Sequence, residues 1–284
     1  MAYSIPGDIA RVDIDGDGRV DRLYAGDMGG RMWRFDVGDK DSSKWTGKII
    51  FKSNSEETTN LRKMFYPPDV TLESENGDYE MLLFGTGDRE HPKTTGIIDR
   101  LYAVKDRNLA DKNPAAAYAE SDLVNVTDDL LQNSSKSIAE KNALLAQLKD
   151  KSGWYITLDS NSGEKVLSAP VVFYKTVYFT TFSPTSGVDT DPCFVGEGTG
   201  RVYALNFKNG TAMFNLDLTN DVGTKEVISK NDRSSIIGTA IPSGVIVTVI
   251  GGKAVSYVGV GGGVYSPRLA NTSSLVPLNW RIVF

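Results

Sequence analysis

The stretch VDIDGDGRVDRLYAGDMGGRMWRFD, residues 12–36, constrains this chain more than any other. Its first half places an acid at alternate positions, Asp13, Asp15 and Asp17, with a further acid at Asp21. Carboxylates gathered that closely repel one another strongly unless a cation sits between them. A hard divalent ion of calcium's size takes about six to eight oxygens at roughly 2.3 to 2.6 Å, and alternate residues of a tight loop deliver them. The expected ligands are the side chains of Asp13, Asp15, Asp17 and Asp21 and the backbone carbonyl of Arg19. Gly16 and Gly18 permit the positive φ angles that let such a loop curl. Turn chemistry alone accounts for some of these Asp and Gly residues but does not ask for an acid at every second place. The loop, residues 13–21, is therefore read as a calcium site.

It is not an ordinary EF-hand. That pattern needs Gly at position 6 and a bidentate Glu at position 12, with a helix on either side. Gly18 meets the first condition, but position 12 is Tyr24, so Asp21 is expected to ligate in place of the missing Glu. The residues after the loop read as strand, not helix. Residues 22–26 and 31–36 alternate across Asp27-Met28-Gly29-Gly30, a hairpin signal.

Arg31-Met32-Trp33-Arg34-Phe35-Asp36 recurs as Arg100-Leu101-Tyr102-Ala103-Val104-Lys105 and as Arg201-Val202-Tyr203-Ala204-Leu205-Asn206. Each copy runs Arg, aliphatic, aromatic, any, apolar, polar, and each leads into a turn, so each is expected to be one hairpin strand with the same face inward. Further strands are expected at 80–85, 154–158, 171–174 and 176–182, and a last hairpin at 244–250 and 253–259 across Gly251-Gly252, all rich in aromatic and β-branched residues. A hairpin unit recurring at irregular intervals fits propeller blades carrying insertions. The one helical stretch is an insertion at about 114–151. Ser137-Ile138-Ala139-Glu140 is a capping box, and Ile138, Leu144, Leu145 and Leu148 recur near helical spacing. A second helix is expected to begin at Pro114-Ala115-Ala116-Ala117. The fold class is thus all-β: a modified, incomplete β-propeller over residues 1–284 with an EF-hand-like calcium loop and a helical insertion.

A chain of 284 residues, 40% hydrophobic and 24% charged, is long enough for a large β domain. A net charge of -5 with dispersed Lys and Arg argues against a nucleic-acid partner. No run approaches the ~18 apolar residues of a membrane span, and the first residues carry no signal-peptide pattern. The calcium loop arrives within a dozen residues of the start, which suggests the C-terminal part of a longer protein. Cys193 stands alone, so it is either a small buried apolar residue or a partner for a cysteine outside the chain. Trp33, Trp154 and Trp280 are expected in blade cores, and Trp45, in a polar stretch, at the surface.

The order of GDIARVDIDGDGRVDRLYAGDMGGRMWRFDV, FGTGDREHP, IDRLYAVKD, ESDLVNVT, GWYITLD, GEKVLSAPVV, VYFTTFSP and GTGRVYALN resembles the C-terminal propeller of the PilY and neisserial PilC family over about residues 7–206. The resemblance implies a secreted, pilus-associated protein at the cell surface that supports type IV pilus biogenesis, opposes retraction in twitching motility and aids adhesion. It implies minor pilins or the pilus tip, and a host or abiotic surface, as partners. It also places the family's calcium loop on Asp13, Asp15, Asp17, Arg19 and Asp21. The rival class is a quinone-dependent dehydrogenase-like propeller, whose blade motifs RVYALN and RLYAVK resemble. Such an enzyme needs ligands scattered about a central cofactor, whereas here the metal loop is contiguous. The single histidine, His91 in Asp88-Arg89-Glu90-His91-Pro92, has no nucleophile beside it in sequence and reads as a turn residue. An integrin-like FG-GAP interaction propeller shares the loop pattern but repeats it in several blades. The chain is expected not to be an enzyme and to have no catalytic or cofactor-binding residues beyond the metal ligands.

Overall fold

The computed structural model describes residues 2–54, 61–74, 79–107, 109, 116–185 and 198–270. Cys193 and Trp280 lie outside the described residues. In chain order the strands are β1 (Ala10–Val12), β2 (Arg22–Gly26), β3 (Arg31–Asp36), β4 (Thr46–Lys52), β5 (Asp69–Glu73), β6 (Tyr79–Gly85), β7 (Arg100–Asp106), β8 (Tyr118–Ala119) and β9 (Val124–Asn125). The helix α1 (Ile138–Asp150) comes next, and then β10 (Gly153–Thr157), β11 (Lys165–Val166), β12 (Val171–Phe173), β13 (Thr176–Pro184), β14 (Gly198–Asn206), β15 (Ser234–Gly238), β16 (Ile246–Ile250), β17 (Lys253–Val260) and β18 (Gly263–Tyr265). They form four open, mainly antiparallel sheets, β1-β2-β3-β4-β8, β5-β6-β7-β10-β9, β11-β13-β14-β15 with β12 on β13, and β16-β17-β18. The described residues are therefore all-β with one α-helix.

The sheets stack face to face in chain order because their central strands are apolar on both sides. Successive strand residues point to opposite faces. In β6, Leu82 and Phe84 join Tyr24, Met32 and Phe51 in a core between the first and second sheets. Met81 and Leu83 face the other way, into a core with Val177, Phe179 and Leu205 of the third sheet. A third core holds Tyr178, Val202 and Ala204 against Ala254 and Val258 of the fourth. The run Met81-Leu82-Leu83-Phe84 lacks polar alternation for this reason: both of its faces are covered.

The threefold repeat takes its meaning from the same geometry. Its aliphatic position faces the following sheet: Met32 the second, Leu101 the third, Val202 the fourth. Its aromatic faces the preceding one, Tyr102 towards the first sheet and Tyr203 towards the second. The shared inward face holds, but with a consequence for Trp33: its side lies on the outer face of the first sheet, where it is only partly buried and stacks on Phe35 at 6.1 Å. Its indole N–H donates to Asp27 (2.8 Å), whose other oxygen accepts the amides of Gly29 (2.8 Å) and Arg31 (3.0 Å) and so shapes the hairpin turn. Trp154, by contrast, is fully buried between the second and third sheets, and Trp45 is 50% exposed.

The insertion differs from its expected form. Residues 116 and 117 are not helical, and Pro114 and Ala115 lie outside the described residues. Instead β8 pairs with Phe51 and Lys52 of β4, and β9 with Trp154 and Tyr155 of β10, both parallel, so this segment laces the first sheet to the second. Pairing with existing strands and burial of Leu123 and Val124 override the helix preference of an alanine run. The helix begins at Ile138 behind the Ser137 and Glu140 capping box. It buries Leu144 and Leu148 in the core between the second and third sheets, while Ile138 is 78% exposed and Leu145 also faces outward. Lys105 of β7 reaches the end of the helix, and its ammonium donates to the carbonyls of Leu148, Lys149 and Lys151. Cations suit that position, where the last helical carbonyls lack amide partners.

The long connection from β6 to β7 is pinned from within. Buried Lys165 donates to the carbonyls of Pro92 (2.8 Å), Thr94 (2.7 Å) and Gly163 (2.7 Å). At the base of the connection the Thr86 hydroxyl donates to Asp99 (2.7 Å) and accepts the Arg100 amide (3.0 Å). Burial pushes the Asp99 carboxyl up to about 6, against the pull of Thr86 and Lys165. With a folded pKa above the unfolded value of 3.8, the folded state binds more protons between these limits. Asp99 therefore contributes stability below about pH 3.8 and loses it as pH rises through about 6. Asp99→Asn keeps the acceptor and drops the charge, so it should raise neutral-pH stability by about 3 kcal/mol and flatten the pH 4–6 slope in urea unfolding. An unchanged slope would count against a buried charge there.

Candidate metal centre

The acidic loop closes the hairpin of β1 and β2, whose register pairs Val12 with Arg22. The Asp21 amide donates to the Val12 carbonyl (2.9 Å), and the Val37 amide donates to the Asp21 carbonyl (2.7 Å), fixing both ends of the loop. Gly16 and Gly18 turn it with φ of 80° and 88°. Oxygens of Asp13, Asp15 and Asp21 come within 4.8 Å of one another. Asp13 accepts the amides of Gly16 (2.6 Å) and Gly18 (2.9 Å), Asp15 that of Asp17 (3.0 Å), and Asp21 that of Ile14 (2.6 Å). Asp17 lies outside the converging trio: it accepts the Arg19 amide (2.8 Å) and faces the exposed Arg19 guanidinium at 3.9 Å. The donor set is all oxygen, which suits a hard cation such as calcium rather than a soft transition metal.

A second acidic group, Asp88, Glu90 and His91, also gathers within 4.8 Å. Here the protein supplies its own cation, because the Lys63 ammonium stands 2.8 Å from Asp88 and 3.5 Å from Glu90. Burial pushes the Asp88 carboxyl up, but the hydrogen bonds from Lys63 and His91 outweigh it and hold it below its ordinary range. His91 itself is a largely exposed turn residue 3.1 Å from Asp88.

Directly inward of the first loop lies a buried ionic cluster that the sequence did not announce. Arg22, the residue after Asp21, meets Asp36 (3.2 Å) and Glu80 (2.5 Å), and Arg34 meets Asp36 (2.7 Å) and Asp106 (2.9 Å). Lys48 adds a third cation 3.8 Å from Asp36. The Tyr24 hydroxyl sits against both Glu80 and Asp106; burial and then those carboxylates drive its pKa far above the ordinary tyrosine value. Arg34 occupies the repeat position held by Ala103 and Ala204 in the other two copies, so it projects towards the second sheet where they fill the later cores with a methyl group. That substitution of Arg for Ala within the repeat was the available signal.

No protein-family model matches the chain. The Type IV pilus biogenesis factor PilY1 homolog of Xylella fastidiosa (strain Temecula1 / ATCC 700964) is 26% identical over 250 residues, which cover 83% of this chain and 16% of that protein. The chain thus spans about one-sixth of the length of this curated relative. A crystal structure of the Pseudomonas aeruginosa PilY1 C-terminal domain superposes with a TM-score of 0.60 at 16% identity, covering 91% of this chain and 60% of that one. The stacked, open sheets place the chain in the all-β class. In sequence and fold it resembles the PilY1 C-terminal domain, as its motifs led one to expect. Among the described residues no helix is long and apolar enough to cross a membrane.

Breaking the buried cluster from one side leaves charge uncompensated. Arg34→Met should cost about 3–5 kcal/mol in denaturant unfolding. Adding Asp106→Asn should recover part of that loss, with a coupling above about 1 kcal/mol in the double-mutant cycle; strictly additive losses would show the two do not act as a pair.

Proposed function

We propose that this chain is a type IV pilus-associated domain that works by binding other proteins at the cell surface, with calcium held by its first hairpin loop. The observation that carries the reading is the joint likeness to PilY1 proteins, in sequence over most of the chain and in fold to the C-terminal domain. In the finer reading the four sheets are successive blades of a propeller-like array. Face-to-face stacking in chain order supports this, as does the outward Trp33, which stands where its counterparts pack on a preceding sheet. Support for pilus biogenesis, retraction control and adhesion comes from the relative's name and the sequence resemblance together, and minor pilins or the pilus tip are the partners it suggests.

Asp13, Asp15 and Asp21 would hold the ion, with Asp17 and the Arg19 carbonyl as the remaining ligands read from the spacing. Bound calcium would neutralise the crowded carboxylates. The chain's own part is to fix the loop ends through Val12 and Val37, one residue from the buried Arg22 and Asp36. Ordering the loop therefore bears on the first sheet's seating against the second.

Binding to the folded state alone adds about 2.7 kcal/mol at a hundredfold excess of calcium over Kd. Thermal melting should show a midpoint several degrees higher in calcium than in chelator, and Asp13→Asn with Asp21→Asn should abolish the difference. Equal midpoints for the native chain would remove calcium from the reading. Separately, the immobilised chain should retain minor pilins from solubilised pili; failure in either buffer would remove the pilus reading.

A further inference from the structure

At the far end of β7 from the Asp99 carboxyl, a cavity of about 290 Å³ opens between that strand, the helix and the turn after β14. Its wall carries four cations, Lys105, Arg107, Lys149 and Lys208, beside the ring of Tyr79 and the side chains of Leu145 and Leu148. Among the described residues no carboxylate lines it. Of the described acids, Glu73 pairs with Lys208 at 2.8 Å, and Asp150 raises the Lys105 ammonium through its charge. The Lys105 ammonium and the Arg107 guanidinium both lie 5.6 Å from the centre of the Tyr79 ring, so two positive charges share one aromatic ring.

The helix end holds Lys105 and Arg107 in place without neutralising them. Lys105 spends its donors on the carbonyls of Leu148, Lys149 and Lys151. Arg107 uses one terminal nitrogen on the carbonyls of Lys149 (2.7 Å) and Lys151 (3.4 Å). Its Nε is buried with no hydrogen-bond partner, and no carboxylate pairs with Arg107 or Lys105 among the described residues. A guanidinium presents its donors in a fixed fork that matches a tetrahedral oxyanion. Burial, and then the neighbouring charges of Arg107 and Lys208, pull the Lys105 ammonium down to about 8. An anion in the cavity would relieve that crowding.

We propose that this cavity binds a phosphate or sulfate group, with Arg107 as its principal donor, Lys149 closing over the charge, and Leu145, Leu148 and Tyr79 forming an apolar wall for whatever carries the group. The site is separate from the acidic loop, of opposite charge, and does not depend on calcium.

The test uses the whole chain, titrated by calorimetry with inorganic phosphate, inorganic sulfate and glycerol phosphate at fixed ionic strength, with sodium chloride as the blank. Binding above the blank is expected. Arg107→Gln should weaken it about tenfold or more, since a hydrogen bond to a charged group is worth a factor of that order. Lys149→Gln alters an exposed residue on the helix, so it should fold normally and weaken binding by a smaller factor. Lys253→Gln, exposed on the fourth sheet, should bind as the native chain does. Tighter binding of glycerol phosphate would identify an esterified group as the source, and equal binding a free anion. Two results overturn the proposal: heats no larger than the chloride blank, or equal losses in Lys149→Gln and Lys253→Gln.

Discussion

A strand whose two faces are both apolar needs a neighbour on each side. That requirement, met in the second and third sheets, organises this protein. Met81 and Leu83 point one way and Leu82 and Phe84 the other, so the second sheet is held between two cores. The third sheet repeats the arrangement with Val177 and Phe179 against Tyr178. Burial of a side chain of this size contributes on the order of 1.5–3 kcal/mol. No one sheet keeps that contribution without the next, which makes stacking, rather than any single hairpin, the unit of stability.

Against that apolar pattern the Arg22, Arg34, Asp36, Glu80 and Asp106 cluster stands out. Charges removed from water are costly unless well paired, and replacing such clusters by apolar residues often stabilises a protein. What the cluster supplies here is position. Arg22 and Arg34 reach across from the first sheet to Glu80 and Asp106 in the second, which an apolar junction alone would permit to slide. The loop carrying the acidic trio is fixed through Val12 and Val37, and Asp21 and Val37 are chain neighbours of Arg22 and Asp36, so its shape and the seating of the first two sheets are linked through the backbone.

Much of this was written in local pattern. The hairpin at Asp27-Met28-Gly29-Gly30, the capping box at Ser137 and Glu140, and the last hairpin across Gly251-Gly252 depend on residues a few places apart, and they sit where spacing put them. The closeness of Asp13, Asp15 and Asp21 was legible for the same reason, whereas the turning of Asp17 towards Arg19 comes from the loop's own amide bonds. What could not be read is non-local. Arg22 and Glu80 are 58 residues apart, and Arg34 and Asp106 are 72 apart. The alanines before Tyr118 suggested helix because nothing nearby in sequence reveals that Phe51 offers a strand to pair with. Trp33 looked like a core residue because the repeat says which way it points but not whether a sheet stands there.

Lys165 is a cation that the chain supplies for its own backbone. Its buried ammonium gathers two main-chain oxygens of the connection between β6 and β7, those of Pro92 and Thr94, and that of Gly163 just before β11, a task that a bound ion can also perform. A tethered cation never leaves and has no concentration dependence. The path of the chain around Lys165 is therefore independent of the ionic makeup of the surroundings.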